Sequence, residues 1–227
     1  MDFIAHGFLR ALTLLLTGDP QTFSAVSTTL KAALLSMGLS LVVGVPAGFC
    51  LGYFEFRGKK AVRTVVDTLL ALPTVFIGLL VYAFLSHRGP LGGLGLLFTI
   101  PAISIGQTFL ALPVIMALTA SSLDHLDQGL RLTLLSLGAD RGQLFFSTVK
   151  EVRFGILVAA MTAMGRVMTE VGISMMVGGN IKWHTRTITT AIALETGKGM
   201  FAEGIALGLV LLAIALVVNI SVSVFRR

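Results

Sequence analysis

Leu132-Thr133-Leu134-Leu135-Ser136-Leu137-Gly138-Ala139-Asp140-Arg141-Gly142-Gln143 is the core of a polar insert, residues 124–153, between two strongly apolar segments. It reads as helix, glycine stop, helix. Gly138 is free to take the left-handed conformation that ends a helix, and Asp140 with Gln143 offers a capping box to start the next. Two short helices on the polar face of a membrane protein form a knob that another protein can grip. The expectation is that Gly138 lets the chain turn, with Ala139 and Asp140 beside it. Leu144 and Phe145, on the second helix, would then fill a groove on the partner.

Composition sets the class. The chain has 227 residues, is 55% hydrophobic and 12% charged, and has a mean hydropathy of +0.92, which excludes an ordinary soluble domain. One cysteine, Cys50, excludes a disulfide framework within the chain and is expected to be a small buried core residue. The net charge of +6 comes from basic residues strung between apolar runs. That pattern points to lipid headgroups rather than to nucleic acid.

Five segments are long enough to cross a bilayer: Ala32–Phe54, Val65–Leu85, Ile100–Ser121, Phe154–Val177 and Ile205–Phe225. Arg57, Lys59, Lys60 and Arg63 follow the first span. Arg131, Arg141, Lys150 and Arg153 lie in the insert, and Arg226 and Arg227 end the chain, whereas the alternate loops hold Arg88, Lys182, Arg186 and Lys198. The positive-inside rule puts the first three groups in the cytoplasm and the N-terminus outside. Residues 2–17 carry a narrow stripe of Asp2, His6, Arg10, Thr13 and Thr17 on an otherwise apolar helix. This suits an interfacial helix, with a sixth span as the alternative and no sign of a cleaved signal peptide. No segment suggests a separate soluble domain. Gly44, Gly48 and Gly52 let helices approach closely, either within one subunit or between two. Pro73, Pro101 and Pro113 interrupt further spans.

No catalytic constellation, cofactor site or metal site emerges. The phosphate-binding Gly-x-x-x-x-Gly-Lys-Ser/Thr pattern is absent, so ATP hydrolysis by that machinery would belong to another polypeptide. Arg166 and Glu170 fall one turn apart inside the fourth span and are expected to neutralise each other beside a pathway. Past that span, Gly178, Gly179 and Asn180 with Lys182, Thr185 and Arg186 offer backbone N–H groups, hydroxyls and positive charge. They suit either a small anion or an external partner.

The insert resembles the cytoplasmic coupling loop of ABC-importer permeases. Gly138 and Ala139 match its motif, while Leu132-Thr133-Leu134 stand where Glu-Ala-Ala would be, and Lys150-Glu151 where Leu-Pro would be. The chain from about residue 20 to 225 resembles the molybdate/tungstate-type oxyanion permeases. The resemblance is carried by Leu72-Pro73-Thr74-Val75, by Gly89-Pro90-Leu91-Gly92, by Gly165-Arg166 through Glu170-Val171-Gly172 to Met176-Val177-Gly178-Gly179-Asn180-Ile181, and by Thr189-Thr190-Ala191-Ile192-Ala193-Leu194-Glu195-Thr196. It implies an all-α integral membrane protein of the type I ABC-importer permease fold, with about five transmembrane helices and a cytoplasmic coupling helix. It also implies a homodimer, cytoplasmic ABC ATPase subunits and an extracytoplasmic oxyanion-binding protein. Tungstate is the first expected substrate and molybdate the second, in a bacterial inner membrane. The alternative is a carrier or channel driven by an ion gradient.

Overall fold

The computed structural model describes residues 2–126 and 133–224, with the side chains of residues 2, 3, 141 and 222–224 left aside. Leu132, Arg131 and Asp127 of the insert, and Phe225, Arg226 and Arg227 at the end, lie outside the described residues. In chain order the helices are α1 (Asp2–Thr17), α2 (Pro20–Tyr53), α3 (Lys59–Leu70), α4 (Thr74–Leu85), α5 (Ile100–Asp124), α6 (Arg141–Met168), α7 (Gly172–Gly178), α8 (Ile188–Gly197) and α9 (Phe201–Val224). A short 3-10 turn covers Gly92–Leu94, and a helical turn covers 133–136. No strand occurs among the described residues.

Among the described residues, α2, α5 and most of α9 are each long and apolar enough to cross a membrane unbroken. The two other expected spans are not single helices. Lys59–Leu70 and Thr74–Leu85 meet at 99°, and the α6–α7 pair at 59°. Pro73 accounts for the first break, because it has no N–H to donate and disfavours helix at Leu72. The other two prolines leave their helix whole: Pro101 sits in the first turn of α5 and Pro113 inside it.

α2 and α5 form the central seam. The glycine ladder belongs to it, which settles the choice in favour of packing within one subunit. A Cβ on Gly44 would lie 3.0 Å from Ile115, one on Gly48 2.7 Å from the Met116 carbonyl, and one on Gly52 2.8 Å from Leu123. Cys50, expected in the core, is exposed. It lies about 200° around the helix from Gly48, on the face turned away from α5. α1 packs along the first half of α9, where a Cβ on Gly7 would collide with Ile205, and Ala11 and Leu14 join Ala206, Leu207 and Val210 in one buried cluster.

Candidate functional site

The two breaks lie against each other, and their polar side chains answer the question of where the freed backbone groups go. At the end of α3, the Leu70 carbonyl accepts a hydrogen bond from an Arg166 Nη at 3.1 Å. At the end of α6, Gln107, only 3% exposed, reaches the Val167 carbonyl through Nε2 at 3.4 Å while its Oε1 faces the buried Ser36 hydroxyl. Glu170 then turns back on the next helix, and its Oε1 accepts from the Ile173 N–H at 3.0 Å. The Glu170 carbonyl accepts from the hydroxyls of Thr189 (2.8 Å) and Ser174 (3.4 Å). Thr189 belongs to α8, whose start is fixed by a Thr187–Thr190 capping box and by Thr29 of α2, which accepts from the Ile188 N–H.

The expected Arg166–Glu170 ion pair therefore does not form. The one-turn register behind that expectation needs helix through both residues, and α6 ends at Met168. Among the described residues the ion pairs are Lys59–Glu55, Arg63–Asp124 and Lys198–Glu195. Each of the two charges is met by a helix end instead. Arg166 lies at the electronegative end of α3, and the buried Glu170 at the electropositive start of α7.

The turn after α7 is tighter than an open loop. Gly179 and Asn180 take positive φ (69° and 49°), as does Trp183 (70°). Thr185 is buried, and its hydroxyl donates to the Gly178 carbonyl while accepting from the Ile181 N–H. Expected to face outward, Thr185 instead holds the turn together. Gly178 is pressed on Ile103 and Gly179 on the Phe98 ring, so these glycines serve close packing. Arg186 is half-buried, with Nε donating to Asn180 Oδ1 at 3.1 Å. Lys182 stays exposed, with its ammonium 5.2 Å from the Trp183 ring centroid.

At the insert, Gly138 takes φ +79°, and nothing stands within 4 Å of where its Cβ would be. The Asp140–Gln143 capping box is complete, with bonds of 2.8 and 3.0 Å. Leu144 is buried, however, on the same face as Thr148 and Val152, the i, i+4, i+8 positions that pack inward. Leu144 is therefore no docking knob. Phe145 stands edge-on to Phe49, with centroids 5.0 Å apart, and keeps an exposed edge. The side chains that project are Leu137 (78% exposed) and Phe146 (73%). Helical phase on α6 would have separated Leu144 from Phe146.

Comparison with known proteins places this geometry. The chain is 46% identical over 227 residues to the tungstate uptake system permease protein TupB of Campylobacter jejuni, covering all of this chain and 95% of that one. It is 36% identical to TupB of Peptoclostridium acidaminophilum, over 96% of each chain. A chain of a bacterial alginate ABC transporter, solved in complex with its alginate pentasaccharide-bound periplasmic protein, shares the fold. Its TM-score is 0.73 at 19% identity, over 94% of this chain and 81% of that one. Residues 44–227 match the family described as the inner membrane component of binding-protein-dependent transport systems. With its broken spans, capped insert and glycine seam, the chain belongs to that family of ABC-importer permeases.

Proposed function

We propose that the chain is the membrane-spanning subunit of an importer that moves tungstate, with molybdate second, into the cytoplasm. It would work as a homodimer in the bacterial inner membrane, with cytoplasmic ATPase subunits and an extracytoplasmic oxyanion-binding protein. The observation that carries this reading is the 46% identity over the whole chain to a tungstate uptake permease. Gly138, Ala139 and Asp140 shape the coupling turn, and Leu137, Phe145 and Phe146 present its apolar face to the ATPase. Arg166 and Glu170 hold the two breaks at the gate, with Gly178, Gly179 and Asn180 anchoring the far end of α7. Lys182 and the free edge of Arg186 meet the binding protein or its anion.

Tungstate and molybdate uptake in a strain deleted for this gene, with no redundant importer, tests the substrate. Tungstate accumulation at low external concentration should disappear and return with the intact gene. Unchanged tungstate uptake would overturn the proposal.

A further inference from the structure

α3 turns one narrow stripe toward the rest of the protein. Lys59, Arg63, Val66 and Leu70 fall within about 60° of one another around the helix, and every other residue of α3 is exposed. Each member of the stripe has its own contact. Lys59 Nζ reaches the Gly52 carbonyl near the end of α2 at 3.3 Å. Arg63 donates to Asp124, the last residue of α5, where the insert departs. Val66 is buried against Leu51 and Ala120. The Leu70 carbonyl, at the edge of the 99° break, accepts from Arg166 at 3.1 Å.

Arg63 and Leu70 are seven residues apart, which is two turns and about 10 Å of helix. A hydrogen-bonded helix that short is stiff, and with Val66 its one buried side chain, few contacts besides those at its ends fix its position. We propose that α3 is a strut between the root of the coupling insert and the first break, with Arg63 and Asp124 as the positioning residues that join it to the insert. The proposal rests on the importer reading, because it gives the strut a part in coupling ATP hydrolysis to opening. When Asp124 shifts with the insert, Arg63 moves α3, and the Leu70 carbonyl carries that movement to Arg166 on α6. Both breaks are then reached from one ion pair. Asp67 supplies a second state. It lies one turn beyond Arg63, is exposed and has no ion-pair partner among the described residues. An arginine that lets go of Asp124 therefore finds a carboxylate on its own helix. A permanent staple would need no such alternative.

Arg63→Gln, Asp124→Asn and the exchanged pair Arg63→Asp/Asp124→Arg test this, on the full chain in nanodiscs and on the complete importer in liposomes. Hydrogen exchange reads the amides of Ala71, Leu72 and Phe76, which flank the break and bond to the carbonyls of Thr68, Leu69 and Pro73. Each single variant should speed exchange there about threefold, the scale of a half-exposed ion pair. In liposomes holding the ATPase subunits and the binding protein, each should keep ATP hydrolysis and lose about threefold in tungstate imported per ATP. The exchanged pair should return both readings to within about twofold of wild type. If it does not fold, Arg63→Gln/Asp124→Asn decides, because an interacting pair makes the double variant no worse than either single one. Unchanged exchange in the single variants overturns the strut. So does a fall of uptake and hydrolysis together at a constant ratio, which a merely structural contact would give. A wild-type complex that imports no tungstate would overturn the substrate reading instead, and the exchange comparison would still decide the strut.

Discussion

The α2–α5 seam and the paired breaks solve opposite problems with opposite means. Lipid gives helices no hydrophobic reason to associate, so the seam removes side chains: Gly44, Gly48 and Gly52 bring backbone against Ile115, Met116 and Leu123. At the breaks the helical hydrogen bonds are lost among packed helices, so polar side chains are added. Arg166, Glu170 and Thr189 each take one backbone group at a break, and Gln107 adds a second donor to the Val167 carbonyl, which also accepts from the Glu170 N–H. The difference separates a contact that must not yield from one that is able to. A glycine seam has no alternative partner at the same distance, whereas a carbonyl held by a flexible side chain can exchange that bond for another.

The largest expected effect breaks the seam. Gly48→Val places a Cβ 2.7 Å from a backbone carbonyl, so the helices must separate, at a cost of about 3 kcal/mol. Gly208→Ala, with nothing within 4 Å of its Cβ, should stay within about 0.5 kcal/mol of wild type. Thermal unfolding in detergent reads both, and equal melting of Gly48→Val and wild type would show that the seam is not close.

At the breaks, Arg166→Met should cost about 1.5–3 kcal/mol, the range for a hydrogen bond to a charged group. Glu170→Gln keeps an acceptor for the Ile173 N–H and should cost less. Because the two charges serve different helix ends, their double variant should be additive within about 0.5 kcal/mol. Coupling above about 1 kcal/mol would restore the direct pair instead. Thr189→Val preserves shape and removes two bonds, to the Glu170 carbonyl and the Thr187 hydroxyl, for a loss of about 1–2 kcal/mol. An unchanged melting temperature would mean that α8 does not hold the α6–α7 break.

The smallest effect lies at the N-terminal end of α2, beyond the seam. Burial pushes the Asp19 carboxyl upward, but hydrogen bonds from the Thr22 side chain and backbone, the nearby Arg10 charge and the Gln21 N–H together outweigh it and hold the group below its ordinary range. A depressed carboxyl stabilises the fold above its unfolded pKa, and that contribution fades as pH falls through the folded value. Asp19→Asn still caps the helix and should lose only a few tenths of a kcal/mol at neutral pH. Its melting temperature should fall less steeply than wild type on acidification, and parallel curves would remove Asp19 from the pH response.

What could be read beforehand was what the local chain decides. Gly138 and the Asp140–Gln143 box depend on neighbours within a few residues, and the glycine ladder on one helical face; all were legible. The breaks were not. Pro73 is one of three interrupting prolines, and nothing local separates it from Pro113, which its helix absorbs. The second break has no proline at all. Glu170 sits there because Thr189, Ser174 and the start of α7 meet it from other parts of the chain. Arg166 and Glu170 were recognisable as costly charges, but their partners are main-chain atoms, and any residue type supplies those. Cys50 and Leu144 were misplaced for a related reason. In a chain apolar on nearly every face, hydropathy does not tell the packed side of a helix from the side facing lipid or solvent.

The length of α2 has an architectural consequence. Thirty-four residues of helix make a rod of about 51 Å, against a hydrocarbon layer of about 30 Å. At its threonine-rich beginning Thr22, Thr28 and Thr29 are buried, and Thr29 supports the first residue of α8. A helix of that length overruns a single crossing, so one rigid beam carries packing beyond the hydrocarbon layer. The other end of the same beam stands beside the Phe49–Phe145 ring contact.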